Sequence, residues 1–235
     1  MGSNPITPEL VLYIVVAALL PTLIWLWFWL KEDNVNPEPK GLLFLTFILG
    51  ALGVVFVIPL QKFILQVVPD SGIFGIISAA GVEEIIKFLA VGILAIPGKV
   101  MDEPVDFPIY FITAAMGFAA LENSLFLVDP NLSGEFTVGL LAGQLRFLGS
   151  TLLHSTASAT IGISIGLAFY KTKFVRHLYT IVGVFAAIAL HSAFNFFIIE
   201  RGGNDILAIY SFLWIATVFV LLVFEKLRRM GTEII

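Results

Sequence analysis

The sequence predicts an all-α fold, a polytopic bundle of about seven membrane-spanning helices that forms one integral membrane domain over residues 1–235. Three observations carry that expectation. Hydrophobic residues make up 59% of the chain and charged residues only 13%, against roughly 25% charge in a soluble domain. Mean hydropathy is +1.00. The apolar residues fall into runs of about twenty, the length that crosses a hydrocarbon core near 30 Å thick, parted by short stretches of Pro, Gly and charge. A net charge of −4, small and scattered, argues against a nucleic-acid surface. The absence of cysteine removes disulfides, Cys-ligated zinc and thiol nucleophiles.

The first apolar run, residues 10–30, is too long for a signal-peptide core and is expected to be a retained helix, with Trp25, Trp27 and Trp29 as an aromatic belt at one end. A polar linker, Lys31 to Lys40, leads to a second span at about 41–61, expected to stop near Pro59 and Lys62. The third span, about 72–96, ends at Pro97-Gly98, and an acidic loop with Asp102, Glu103 and Asp106 leads to the fourth, about 107–128. Phe136 to Tyr170 is apolar for too many residues to be one straight span, at 1.5 Å of rise per residue. A short interfacial or re-entrant helix around Phe136 to Phe147, followed by a fifth span at about 148–170, resolves the excess. Spans six and seven follow at about 178–199 and 205–225.

Basic residues outside the spans cluster after spans one, three and five and in the C-terminal tail, including Lys31, Lys99, Lys171, Lys173, Arg176, Lys226, Arg228 and Arg229. The positive-inside rule then puts the N-terminus outside and the C-terminus in the cytoplasm; the expected location is the plasma membrane.

Charge inside the spans is the informative feature. Glu83, Glu84 and Lys87 sit in mid-span, where each charge costs roughly 2.5–3.5 kcal/mol on insertion scales. Span four carries Glu122 and Asn123, span five His154, and span six His191 and Asn195. Counted from the cytoplasmic ends of their spans, Glu83, Glu122, His154 and His191 lie at depths of ~20 to ~24 Å, one layer past the midplane toward the outer face. Within each helix the polar residues recur four apart, as in Glu83/Lys87, His154/Ser158 and His191/Asn195, and so share a face that must turn away from lipid. Histidines and carboxylates on facing helices can bind zinc or activate water. No His-Glu-x-x-His, Gly-x-Ser-x-Gly or paired intramembrane Asp occurs, so the zincin, serine and aspartyl routes lack their signatures. The Ser residues at 155, 158 and 192 read as small interface residues, and Arg146 as the cation that neutralises a carboxylate. Alternatives that the residues leave open are a Glu83–Lys87 pair that merely joins helices, a bis-histidine haem site and a proton-coupled transporter.

Glu83-Glu84-x-x-Lys87, Phe118-x-x-x-Glu122-Asn123, His154 and His191-x-x-x-Asn195, in that order, resemble the PrsW-type intramembrane protease family. That family belongs to a clan with type II CAAX prenyl endopeptidases and the APH-type subunit of gamma-secretase. The resemblance covers a catalytic core of about residues 71–200. It implies hydrolysis of peptide bonds in or beside the membrane, on a single-span substrate such as an anti-sigma factor, near the extracytoplasmic side; a non-catalytic scaffold of a membrane protease is the competing implication. Two mechanisms fit. In one, His154, His191 and Glu122 hold Zn²⁺ and Glu83 is the base. In the other, Glu83, aided by Glu84 and by Glu122 or His154, activates water without metal, while His191 and Asn195 donate to the oxyanion.

Overall fold

The computed structural model describes residues 7–32, 36–67, 72–94, 100–132, 149–201 and 206–232. They form seven helices: α1 (Pro8–Glu32), α2 (Lys40–Val67), α3 (Ile73–Leu94), α4 (Asp106–Leu132), α5 (Thr151–Leu167), α6 (Lys173–Arg201) and α7 (Ile206–Thr232), with no strand among the described residues. The all-α bundle expected from the sequence is what forms. The helix expected near Phe136 to Phe147, and Arg146 with it, lie outside the described residues.

Five helices, α1, α2, α4, α6 and α7, are long and apolar enough to cross a membrane. The other two depart from the seven expected spans for different reasons. Every long window of α3 contains Glu83, Glu84 and Lys87, and α5 has only 17 residues in its described part. In both, the buried polar groups meet other protein groups, the arrangement that makes intramembrane charge tolerable.

α4 is the axis of the bundle: it packs against α1, α2, α3 and α5, and 67% of its apolar window is buried, against 22–33% for the other four spans. α5 lies beside it, enclosed by α4, α6 and α7. The outer helices present large apolar side chains outward, among them Phe44, Phe56 and Phe63 of α2 and Phe185 of α6. Polar interior and apolar exterior are the pattern demanded by a lipid solvent.

Two sequence expectations change at this level. α2 does not stop near Pro59; it runs on to Val67 with Pro59 inside it. A membrane helix tolerates the lost hydrogen bond because local adjustments satisfy the freed carbonyl. The tryptophans do not form a common belt either. Trp29 is fully buried and packs against Phe224, and Trp25 packs against Trp214, while Trp27 alone is well exposed, with Lys31 Nζ 5.3 Å from its ring centre.

What holds α2 on α4 is backbone proximity. A Cβ on Gly50 would lie 2.0 Å from the Ala114 carbonyl oxygen, and one on Gly117 would lie 1.8 Å from that of Phe47. Without a hydrophobic driving force between helices in lipid, such close van der Waals contact is a principal source of association. At the neighbouring end of the interface the Tyr110 hydroxyl donates to Glu38, pinning the linker before α2 to α4; burial raises the Glu38 carboxyl above the ordinary carboxylate range. Gly117→Ala gains helix propensity of up to ~1 kcal/mol, but the contact is with backbone, which moves only if the helices part. A net loss of about 1–3 kcal/mol is expected from overpacking, to be read from thermal unfolding in detergent, with Gly41→Ala, where a Cβ meets nothing, as the control.

Candidate active site

Four helices converge on one buried network. Glu83, Glu84 and Lys87 come from α3, Glu122 from α4, His154 and Ser158 from α5, and His191 from α6; all but Glu122 are buried. The side chains that the sequence places at one depth are therefore also neighbours in space.

The centre of the network is the Lys87 ammonium. It donates to Glu84 Oε1 at 2.7 Å and to His154 Nδ1 at 2.8 Å, and it stands 4.5 Å from the centre of the Phe118 ring. Lys87 is thus paired with Glu84, three residues earlier, rather than with Glu83 as the four-residue spacing suggests. Glu84 is bonded at both oxygens: the same Oε1 accepts from His191 Nδ1 at 2.8 Å, and Oε2 accepts from the Ser158 hydroxyl at 2.8 Å. Ser158 is more than a small interface residue, because its hydroxyl completes the carboxylate's shell.

These bonds place one proton on each histidine. An ammonium can only donate, so neutral His154 carries its proton on Nε2 and gives it to Glu122 Oε2, 2.9 Å away. A carboxylate can only accept, so His191 carries a proton on Nδ1 toward Glu84, and its Nε2 stands 3.6 Å from Glu83 Oε2. The two rings stand 5.1 Å apart, nearly perpendicular.

Glu83 is the carboxylate left with capacity. Gln61 of α2 donates to its Oε1 at 3.0 Å, while Oε2 is buried without a hydrogen bond among the described residues. Glu83 and Glu122 border a cavity of about 490 Å³ walled by Val54, Val57 and Ile58 of α2 and by Leu125 and Phe126 of α4. Ile58, Leu125 and Phe126 are themselves exposed, so the cavity opens on the flank of the bundle, between α2 and α4.

Ligand atoms of Glu83, His154 and His191 lie within 4.8 Å of one another. The carboxylate gathered with the two histidines in this cluster is Glu83; Glu122, which the sequence reading grouped with them, accepts from His154 Nε2 at 2.9 Å. The donor set suits a catalytic zinc. His191 meets the requirement best, since a carboxylate on the distal nitrogen is the usual partner of a metal-bound histidine. His154 must release one of its two bonds to join.

Asn195, one turn beyond His191, is half-buried and has no hydrogen bond among the described residues. Asn123 instead braces α4 against α5 through Thr151, at 3.0 Å. Sequence reasoning missed Gln61, which stands between Pro59 and Lys62 where the span was expected to end; an uncharged amide in an apolar run was the available signal.

The chain matches the model of the PrsW family intramembrane metalloprotease over residues 38–224. It belongs to that family. The match takes in Glu83, Glu84, Glu122, His154, His191 and Asn195. Protease PrsW of Shouchella clausii is 25% identical over 213 residues, 88% of this chain and 95% of that protein. Protease PrsW of Bacillus subtilis is 25% identical over 186 residues, covering 78% and 81%, and that of Clostridioides difficile is 30% identical over 186 residues, covering 76% of each. No solved structure matches the chain.

In this PrsW family member the buried pair dictates a stability test. Lys87→Met leaves Glu84 without its cation and is expected to cost about 3–5 kcal/mol, because removing one partner of a buried pair strands the other. The double substitution Lys87→Met with Glu84→Gln should recover a large part of that loss, as measured by denaturant unfolding in micelles.

Proposed function

We propose that this chain is an endopeptidase that cuts a single-span, membrane-anchored substrate of the anti-sigma-factor kind near its extracytoplasmic side. The observation that carries the reading is Glu83: it lines a cavity open to lipid, with one oxygen held by Gln61 and the other without a hydrogen bond among the described residues. A substrate segment entering between α2 and α4 meets apolar walls first and carboxylates last.

Glu83, His154 and His191 would hold a zinc ion, which when bound supplies Lewis-acid polarisation of the scissile carbonyl and a more acidic water. In that state Glu122, on the same cavity wall, accepts the proton. Glu84 holds the Nδ1 proton of His191, which leaves Nε2 as the nitrogen to meet the ion, and Lys87 pairs with Glu84. The metal-free route, with Glu83 as the base and His191 and Asn195 as oxyanion donors, rests on a different observation: both ring nitrogens of His154 are already engaged.

Zinc content and cleavage rate, measured together, separate the two. With metal, Glu83→Gln should lose both, and Glu122→Gln should keep the ion while slowing by about 10²–10⁴-fold, the usual worth of a general base. Without it, chelators should have no effect, and His191→Ala and Asn195→Ala should each slow the reaction by about 10²–10³-fold, as loss of an oxyanion donor does. Full activity of Glu83→Gln would end both readings.

Depth supports the side of cleavage. From the end of the bundle where α3 and α5 finish and α4 and α6 begin, Glu83, Glu122, His154 and His191 lie about 17–27 Å along their helices at 1.5 Å per residue. The basic linkers at that end support its assignment to the cytoplasm. Mass spectrometry of the products should locate the cut in the outer half of the substrate's span or just beyond it, and a cut in the inner half would overturn the orientation.

A further inference from the structure

A second cavity, of about 430 Å³, lies at the opposite end of the same four helices. Its floor is apolar and largely aromatic: Phe88 of α3, Phe107 of α4, Ile165 at the end of α5, and Phe169 just after it. Its rim is the first turn of α6, with Lys173, Arg176 and His177. Nothing in the peptidase reading uses either part.

The rim is electrostatically unfinished. Residues three and four apart on a helix are neighbours, so the two cations and the imidazole crowd one face. They do so at a helix N-terminus, where the dipole already favours negative charge. The first turn holds no acidic residue. The nearest acids in the α3–α4 connection, Asp102 and Glu103, and Asp106 at the start of α4, form no ion pair with these three among the described residues. Arg176 is held in place from one side only: an Nη2 hydrogen goes to the Phe169 carbonyl at 2.6 Å and the guanidinium lies 5.8 Å from the Phe169 ring centre, while buried Nε has no partner among the described residues. His177 Nδ1 bonds the Lys173 carbonyl at 2.7 Å, which leaves Nε2 available. Around the rim, Tyr170 and Phe174 are exposed by 51% and 79%, as aromatic side chains at a headgroup boundary are.

We propose that this cavity is a binding site for an anionic phospholipid, with the phosphate on Lys173, Arg176 and His177 and an acyl chain over Phe88, Phe107, Ile165 and Phe169. Basic pockets between membrane helices are recurrent headgroup sites. An apolar floor directly beneath the charges selects an amphipathic anion over a free one. The lipid touches α3, α4, α5 and α6, the four helices that carry the catalytic layer, and Phe88 adjoins Lys87 in the chain, so an occupied cavity clamps the frame on which the site is built.

The test uses the full chain in detergent, titrated with phosphatidylglycerol or phosphatidylcholine and read by native mass spectrometry. Phosphatidylglycerol should be retained in preference, and Lys173→Gln with Arg176→Gln should cut that preference by about tenfold or more, since basic residues beside an anionic headgroup supply most of its attraction. Circular dichroism verifies that the variant is folded. Lys226→Gln with Arg229→Gln, basic residues of the same end but outside the cavity, should leave the preference intact. Equal loss in both pairs of variants, or no loss in the first, would overturn the site. Displacement of the lipid by glycerophosphoglycerol, the headgroup without its chains, would show an anion site and overturn the lipid assignment.

Discussion

One contact makes the rest of this interior possible: the Lys87 ammonium against Glu84 in the middle of α3. Both side chains are fully buried, and two bare charges there would cost more than the bundle could supply. Their pairing still leaves donors and acceptors to fill, and the neighbours fill them. Ser158 and His191 complete the carboxylate, and His154 takes a second ammonium hydrogen. Three helices are thereby locked in register, α5 and α6 around α3. The chemistry inherits its order from this stabilising network, because each histidine's proton is placed by the charge it faces.

Much of this was legible beforehand. Intramembrane charge is costly, so the positions of Glu83, Glu84, Lys87, Glu122, His154 and His191 marked the site, and counting residues along the spans placed them in one layer. Pairing was not legible. Spacing puts both Glu83 and Glu84 within reach of Lys87, and only the rotation of α3 against α5 and α6 decides between them. The grouping of Glu83, and not Glu122, with the two histidines is likewise a matter of how far α4 stands from α6, which no helical period encodes. The seven helices were read from hydropathy, yet hydropathy could not tell that Trp29 turns inward to Phe224 or that α2 passes through Pro59.

That continuation of α2 matters to the site. Gln61 lies one turn beyond Val57, on the face that Val54 and Val57 present to the cavity, and from there it reaches Glu83. A helix that ended at Pro59 would leave that oxygen bare. The Gly50 and Gly117 contacts set the distance at which α2 can make this reach, so a packing detail near one end of the interface controls hydrogen bonding near the other.

The flank cavity between α2 and α4 has a consequence for what can be cut. An α-helix with its side chains is about 10–12 Å across, too thick for a recess of about 490 Å³ that Glu83 also lines. In the proposed function a polypeptide would reach Glu83 as a locally extended strand, with its own backbone hydrogen bonds broken before the peptide bond is cut. Selection by such a site would then act on how easily a segment comes undone. Glycine, proline and polar residues near the scissile bond would count for more than any particular side chain, and a uniformly stable helix would pass along the groove uncut.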